Sequence, residues 1–437
     1  MNTKRPQSLL IFFLAVFILL LANSCNREND TWEDYMIHES INKIKAVTTF
    51  PTGEIIVLGY VIRDNKGGPS LSLVKYLENG LVDSVFGDEG IVFTPKQLGS
   101  FESLVCRITI TNDGKILYSA SITPERDIAE SYIARYSADG NIDNSFGSMG
   151  IKKYSSVAIH SLELTGNNNI LISGAKSFEA QSRNSFFVSL LDQNGQEIAD
   201  FGSDGMASFD FNSFNTTCTY QMIQQDGKIV LLGNTAENQS IVPMLRLHLD
   251  GSLDTTFSGD GKLLADMGYD IDRNLCINNT GDDKYLSLGL IDFDDLLFAR
   301  INQNGSLDSD FGQEGIAVNM CCPDNTFAAR SVFVQQNGNF LILGEDKKNI
   351  VIADVLPNGE LNPAFGENGI AINSFDDLYM VNDLAVIKSF GKIIVTGEMR
   401  VNNPFLDQDT DFFIMRFNED GSVDNSFGDE GVVISDI

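Results

Sequence analysis

A single pattern, written seven times, constrains this chain more than any other feature. Its centre is a phenylalanine, at Phe86, Phe146, Phe201, Phe257, Phe311, Phe365 and Phe427, with successive spacings of 60, 55, 56, 54, 54 and 62 residues. Every copy has a glycine six residues before the Phe and another four after it, such as Gly251 and Gly261 around Phe257. A glycine that recurs without exception implies positive φ or a close backbone approach, and the Phe supplies a large apolar group at one place in every unit. Upstream lies a turn and then a β-branched run ending in a small residue, as in Asp226-Gly227-Lys228-Ile229-Val230-Leu231-Leu232-Gly233. That last position is Gly in six copies and Ala120 in the second. Alternation and turn signals predict four short strands per unit, in the second copy over 105–111, 115–120, 132–137 and 150–154, and no helical period competes.

By length alone, 437 residues suggest two or three ordinary domains. The repeats revise that count. One four-stranded unit cannot bury both of its faces, whereas seven in a ring can, and no Pro/Ser-rich linker separates them. The expected fold is all-β: one seven-bladed β-propeller over 41–437, built from repeats of about 57 residues with four antiparallel strands each. An open β-solenoid competes, although neither end carries a distinctive polar capping unit. The (Asp/Asn)-Gly-Lys-Ile strand, followed by Asn/Asp-Gly-x-Leu-Asp-x-x-Phe-Gly-x-x-Gly, resembles the delta-60 repeat family of bacterial exported proteins over nearly everything after residue 40. Local departures are Glu197-Ile198 in place of Leu-Asp, Ser258 after Phe257, and Asn167-Asn168-Asn169 without the turn glycine. The resemblance implies a propeller-like fold and export, and it carries no activity or site to transfer.

Two repeat positions vary together. Five residues before the first glycine the copies read Lys75, Arg135, Leu190, Arg246, Arg300, Asp354 and Arg416; three residues after it they read Asp83, Asp143, Ile198, Asp254, Asp308, Asn362 and Asp424. Five copies pair a base with an acid, and the two that lose the base also lose the acid, which suggests contact across the turn through a charge-assisted hydrogen bond. In the third copy Leu190 and Ile198 would substitute an apolar contact. The Asp could instead, or in addition, cap N–H groups of the turn that follows. Calcium is the functional rival, because Asn418-x-Asp420-Gly421-x-x-Asp424 loosely resembles an oxygen-rich loop.

The N-terminus reads as an address. Lys4 and Arg5 precede an unbroken apolar run of 13 residues, 9–21, too short to span a bilayer as a helix, so 1–24 is expected to be a signal peptide. Leu21-Ala22-Asn23-Ser24-Cys25 resembles a bacterial lipobox, making Cys25 the lipidation site and 25–40 a tether; the rival is ordinary cleavage that leaves Cys25 a plain thiol. Asn26-Arg27-Glu28-Asn29-Asp30 resembles the export tag of Bacteroidetes-like surface lipoproteins, which places the protein at the bacterial outer membrane, cell surface or periplasm. Trp32 and Tyr35 in the tether are expected to pack on the propeller's side. A net charge of −30 opposes any nucleic-acid partner. Of the remaining cysteines, Cys106, Cys218, Cys276, Cys321 and Cys322, none has metal-ligand spacing; they read as small buried residues, with a Cys218–Cys276 disulfide as the alternative.

No catalytic motif stands out. His38, His160 and His248 are scattered, the last two reading as structural residues of strands, and no GxSxG, HExxH or P-loop occurs. Two acidic clusters fall outside the repeat pattern: Asp292-Phe293-Asp294-Asp295, and Asp407-Gln408-Asp409-Thr410-Asp411, whose alternating oxygens begin like a calcium loop but meet Phe412 where a turn glycine belongs. In an up-and-down blade the stereotyped turns between the first and second and between the third and fourth strands share one face. The connections that vary in length, including those with Phe293 and Phe405, share the other, where partners are expected to dock. The leading functional expectation is a scaffold or binding module for an envelope protein or glycan, with no cofactor unless calcium occupies an acidic cluster. Its alternatives are a carbohydrate-active enzyme using an Asp/Glu pair and a structural surface component.

Overall fold

The second copy contains strands Val105–Ile110, Ile116–Ile122, Glu130–Tyr136 and Ile151–Ser155, joined in that order into one antiparallel sheet. Each lies within two residues of the run that alternation and turn signals mark out. A computed structural model describes residues 43–63, 67–95, 105–122, 129–178, 183–211, 214–280, 284–291, 295–319, 328–335, 337–346, 348–375, 378–387, 391–400 and 410–435. Across them the same unit recurs as seven four-stranded sheets, blades 1 to 7, whose strands are lettered a to d in chain order.

The a strands are Lys43–Thr49, Val105–Ile110, Val157–Leu164, Thr216–Ile223, Ile271–Asn279, Ala328–Val334 and Leu378–Ile387. Each contacts the next, and the last returns to the first. This is a closed seven-bladed β-propeller with strand a innermost, and its closure excludes the open solenoid. Each of the seven sheets is contiguous in sequence, so among the described residues no strand is exchanged between blades 1 and 7 to lock the ring.

Packing locks it instead. Apolar side chains from facing sheets form seven clusters, one between each pair of neighbouring blades. The closing cluster joins Ile44, Val47, Val57 and Tyr76 of blade 1 to Ile394, Phe412, Ile414 and Phe427 of blade 7. A single blade has no interior of its own; its residues become buried only when a neighbour covers each face.

The repeat Phe and glycine explain the spacing between blades. Gly251 has φ of 80°, and a Cβ there would lie 3.0 Å from Cε1 of Phe201, the Phe of the preceding blade. The same relation runs round the ring, from Gly140 on Phe86 to Gly80 on Phe427 across the closure. Beside it, the N–H after one blade's Phe donates to the turn carbonyl of the next: Gly202 to Asp250 at 2.7 Å, and Gly428 to Asn79 at 3.1 Å. Each turn glycine therefore lets two corners interlock.

A second regularity concerns strand a. Six blades have a β-bulge opposite the small residue that ends the core of strand b, at Gly59, Gly174, Gly233, Gly289, Gly344 and Gly397. Blade 2 has Ala120 there, and its a–b ladder is regular. A Cβ at Gly174 would lie 1.9 Å from the Ala158 carbonyl oxygen, and one at Gly233 would lie 2.1 Å from that of Thr217. The bulge thus presses strand a onto strand b, and these glycines are needed for room rather than for an unusual φ.

Candidate functional site

The paired repeat positions meet at the outer corner of each blade. Arg135 Nε donates to Asp143 at 2.9 Å, Arg246 to Asp254 at 2.7 Å, Arg416 to Asp424 at 2.8 Å and Arg300 to Asp308; Lys75 reaches Asp83 at 3.1 Å. The other carboxylate oxygen accepts the N–H two residues on, as Asp254 does from Thr256 at 3.1 Å, so one Asp both pairs and caps. The guanidinium also reaches forward: Arg246 Nη1 donates to the Gln303 carbonyl of blade 5 at 2.7 Å, and Arg416 Nη1 to that of Glu78 in blade 1 at 2.6 Å.

A further partner escaped the sequence reading. The lysine of the a–b turn approaches the same carboxylate, with Lys115 3.0 Å from Asp143, Lys228 3.3 Å from Asp254, Lys284 2.8 Å from Asp308 and Lys392 2.9 Å from Asp424. In blade 6, where Asp354 replaces the arginine, Asn339 replaces that lysine and Asn362 the acid. Both amides donate to Asp354, Asn362 at 2.7 Å. In blade 3 Leu190 and Ile198 join the apolar cluster around Phe201. Burial opposes ionisation of Asp143, Asp254 and Asp424, but hydrogen bonds and the adjacent guanidinium outweigh it and hold all three well below the usual carboxylate range. Among the described residues Asp354 has no cation partner, and burial raises its pKa.

The oxygens of 418–424 are likewise in use. Asn418 Oδ1 accepts from Lys392 at 2.5 Å, Asp420 Oδ1 from Ser422 N at 3.0 Å, and Asp424 Oδ2 from Arg416. Among the described residues no group of three or more His, Cys, Asp or Glu is arranged to hold a metal.

Of the acidic clusters, Asp295 opens strand c of blade 5 and pairs with Ile291, and Asp411 lies in strand Thr410–Phe417 opposite Met399. Strand pairing thus claims the ends of what read as loops; strand b of blade 7 runs to Arg400, and strand c of blade 1 begins at Gly67. Asp292, Phe293, Asp294, Phe405, Asp407 and Asp409 lie outside the described residues, as do Cys25, Trp32, Tyr35, Cys321 and Cys322. Cys218 and Cys276 are separate thiols, which corrects the disulfide alternative: each is packed inside a different blade interface. Burial pushes the Cys106 and Cys218 thiols up to about 12, so they are inert.

The inner wall carries a set of polar groups that no linear motif announced. Half-buried Lys45 and exposed Arg107 stand on strands a of blades 1 and 2, and half-buried His160 and Glu163 on that of blade 3, next to Tyr220 of blade 4. Lys45 and His160 are the extra residues of their bulges. His160 Nδ1 lies 2.9 Å from the Cys218 carbonyl oxygen, which fixes Nδ1 as the protonated nitrogen. Burial, opposed by that hydrogen bond and aided by the charge of Arg107, lowers the His160 pKa, and burial alone raises Glu163 to about 7.

Comparison with known proteins agrees with this architecture. The profile of a β-propeller family described as a domain of unknown function (DUF5122) matches residues 111–146, 224–257 and 391–427, the stretch from a–b turn to Phe in blades 2, 4 and 7. The chain is a β-propeller repeat protein. No curated protein matches it in sequence. Among solved structures it is similar to prolyl oligopeptidase B from Galerina marginata, with a TM-score of 0.50 and 13% identity, covering 92% of this chain and 51% of that one. The chain therefore spans about half the length of that enzyme. The β-propeller domain of the Trilobed protease from Pyrococcus furiosus gives a TM-score of 0.47 at 12% identity, covering 86% and 95% of the two chains. A protein of unknown function from Dyadobacter fermentans gives 0.38 at 11%, covering 86% and 94%. At these identities the likeness concerns the fold alone.

Proposed function

We propose that this protein is a binding or scaffold module of the bacterial cell envelope, held to the membrane by a lipid on Cys25. It would present the face that carries its b–c and d–a connections to a protein or glycan. One observation supports the choice of face. On the opposite face the a–b and c–d turns form the same Lys–Asp–Arg corner in blades 2, 4, 5 and 7, and the blade-to-blade hydrogen bond recurs at six of the seven junctions. A surface devoted to holding the ring has little freedom to specialise, whereas the b–c and d–a connections differ in length and chemistry from copy to copy. The excess of acidic groups favours a partner with cationic groups or calcium at that face. A carbohydrate-active enzyme is the competing reading, and Glu163, raised by burial into the range of a general acid, supports it. The test is retention of envelope components by protein in which Phe405, Asp407 and Asp409 are replaced together, against protein altered at Ser252 and Ser306. Loss from the first set alone is expected; loss only from the second would overturn the assignment of the face.

A further inference from the structure

Strand a is the inner edge of every blade, and its bulge changes where a side chain is aimed. The bulge lies towards the start of the strand, so the ring of bulge positions is nearer the end of the channel where the d–a connections enter. At this level two arcs of the ring are unlike. In blades 6 and 7 the polar groups satisfy one another. Arg330, the bulge residue of blade 6, pairs with Glu345, whose second oxygen accepts the Val381 N–H at 2.7 Å; Asp383 accepts from Ser331 at 2.6 Å and from the Val47 N–H at 3.2 Å.

Blades 1 to 4 are different. In a chain with 60 acidic and 30 basic residues, Lys45 and Arg107 form no ion pair among the described residues. Lys45 Nζ sits 5.9 Å from the Tyr60 ring centroid, and Arg107 spends one donor, Nη1, on the Cys106 carbonyl at 2.8 Å. The inner strands of blades 1 to 4 lie side by side in that order, so Lys45 and Arg107 share one stretch of wall with His160 and Tyr220. With its Nδ1 proton committed to Cys218, neutral His160 offers Nε2 as an acceptor. The side chains of Glu163 and Tyr220 make no hydrogen bond among the described residues.

We propose that this wall binds a hydroxylated carboxylate, the chemistry of a sugar acid. Lys45 and Arg107 are its charge partners, and His160, with the Tyr220 hydroxyl, receives its hydroxyl groups. A guanidinium with four free N–H donors and an ammonium suit a carboxylate, and the acceptor nitrogen beside them suits an O–H that a simple anion lacks. The inference rests on the reading of the protein as an envelope binding module and gives that reading a ligand class at the mouth of the channel.

The test is calorimetric titration of the full-length protein in detergent with glucuronate, with oligogalacturonate, and with glucose and acetate as the neutral and the hydroxyl-free controls. Glucuronate is expected to bind more tightly than either control, and tighter binding of oligogalacturonate would mark a glycan rather than a free acid as the source. The pair Lys45→Met with Arg107→Gln should weaken glucuronate about tenfold or more, as loss of a charge-assisted contact does. His160→Phe should reduce the preference for glucuronate over acetate. Each variant's thermal midpoint is measured alongside to separate binding from folding. Equal binding of glucose and glucuronate, no binding of either, or undiminished binding by a folded double variant would overturn the site. None of those results bears on partner capture by the loop face, which the Phe405, Asp407 and Asp409 variants report separately.

Discussion

Blade 3 has already performed an experiment that can be repeated in blade 4. There the apolar pair Leu190 and Ile198 stands where Arg246 and Asp254 stand one blade later. Arg246 is 2% exposed and Asp254 1%, so either single replacement strands a buried charge. Asp254→Ile removes the counterion and leaves the guanidinium with neutral partners only: Thr256 at 2.8 Å, Tyr285 at 2.9 Å and the Gln303 carbonyl. Breaking a buried pair in this way costs about 3–5 kcal/mol. Arg246→Leu should fall at the lower end of that range, because Lys228 remains 3.3 Å from the carboxylate. The double variant Arg246→Leu with Asp254→Ile leaves no buried charge, and Lys228, about a quarter exposed, can turn to solvent. Its loss should be under about 2 kcal/mol, since exchanging a whole buried pair for apolar groups is often close to neutral. Guanidinium denaturation followed by far-UV circular dichroism measures all four proteins. A double variant that loses as much as the two singles together would refute the argument that the corner is one coupled unit.

The bulge argument predicts that Gly233→Ala costs about 1–3 kcal/mol, since its Cβ would meet the Thr217 carbonyl at 2.1 Å. Ala120→Gly, in the regular blade, should cost only about 0.5–1 kcal/mol of backbone entropy; equal costs in denaturation would defeat the explanation. For pH, Asp143, Asp254, Asp308 and Asp424 have folded pKa values held below the ordinary value of about 3.9. Their contribution is therefore full above about pH 4 and is lost as pH falls towards the folded values. Asp354 has the opposite sign and gives a small gain on acidification. Urea midpoints measured from pH 6 down to pH 2 should fall for the native chain, and less steeply for the double variant at Arg246 and Asp254. Cys25→Ala should move the protein out of the membrane fraction, and persistence there in high salt would argue against the lipid anchor.

The division between what was legible and what was not follows the range of the interactions. Strand content, blade number and the pairing of Arg135 with Asp143 or Arg246 with Asp254 could be read from residues alone, because each depends on side chains within one repeat of about 57 residues, and seven copies vary together. The conserved glycines were visible but their reason was not. Gly251 needs the Phe201 ring, and Gly233 needs the Thr217 carbonyl, neighbours that only the stacking of blades and the bulging of strand a supply. For the same reason the (Asp/Asn)-Gly-Lys-Ile turn read as local structure, although Lys228 and Lys392 cross to the carboxylate of the c–d corner. The candidate ligand wall lay furthest from view. Lys45, Arg107, His160 and Tyr220 are scattered through 176 positions and share no spacing, and they come onto one stretch of wall only because the stacking of consecutive blades brings four inner strands side by side.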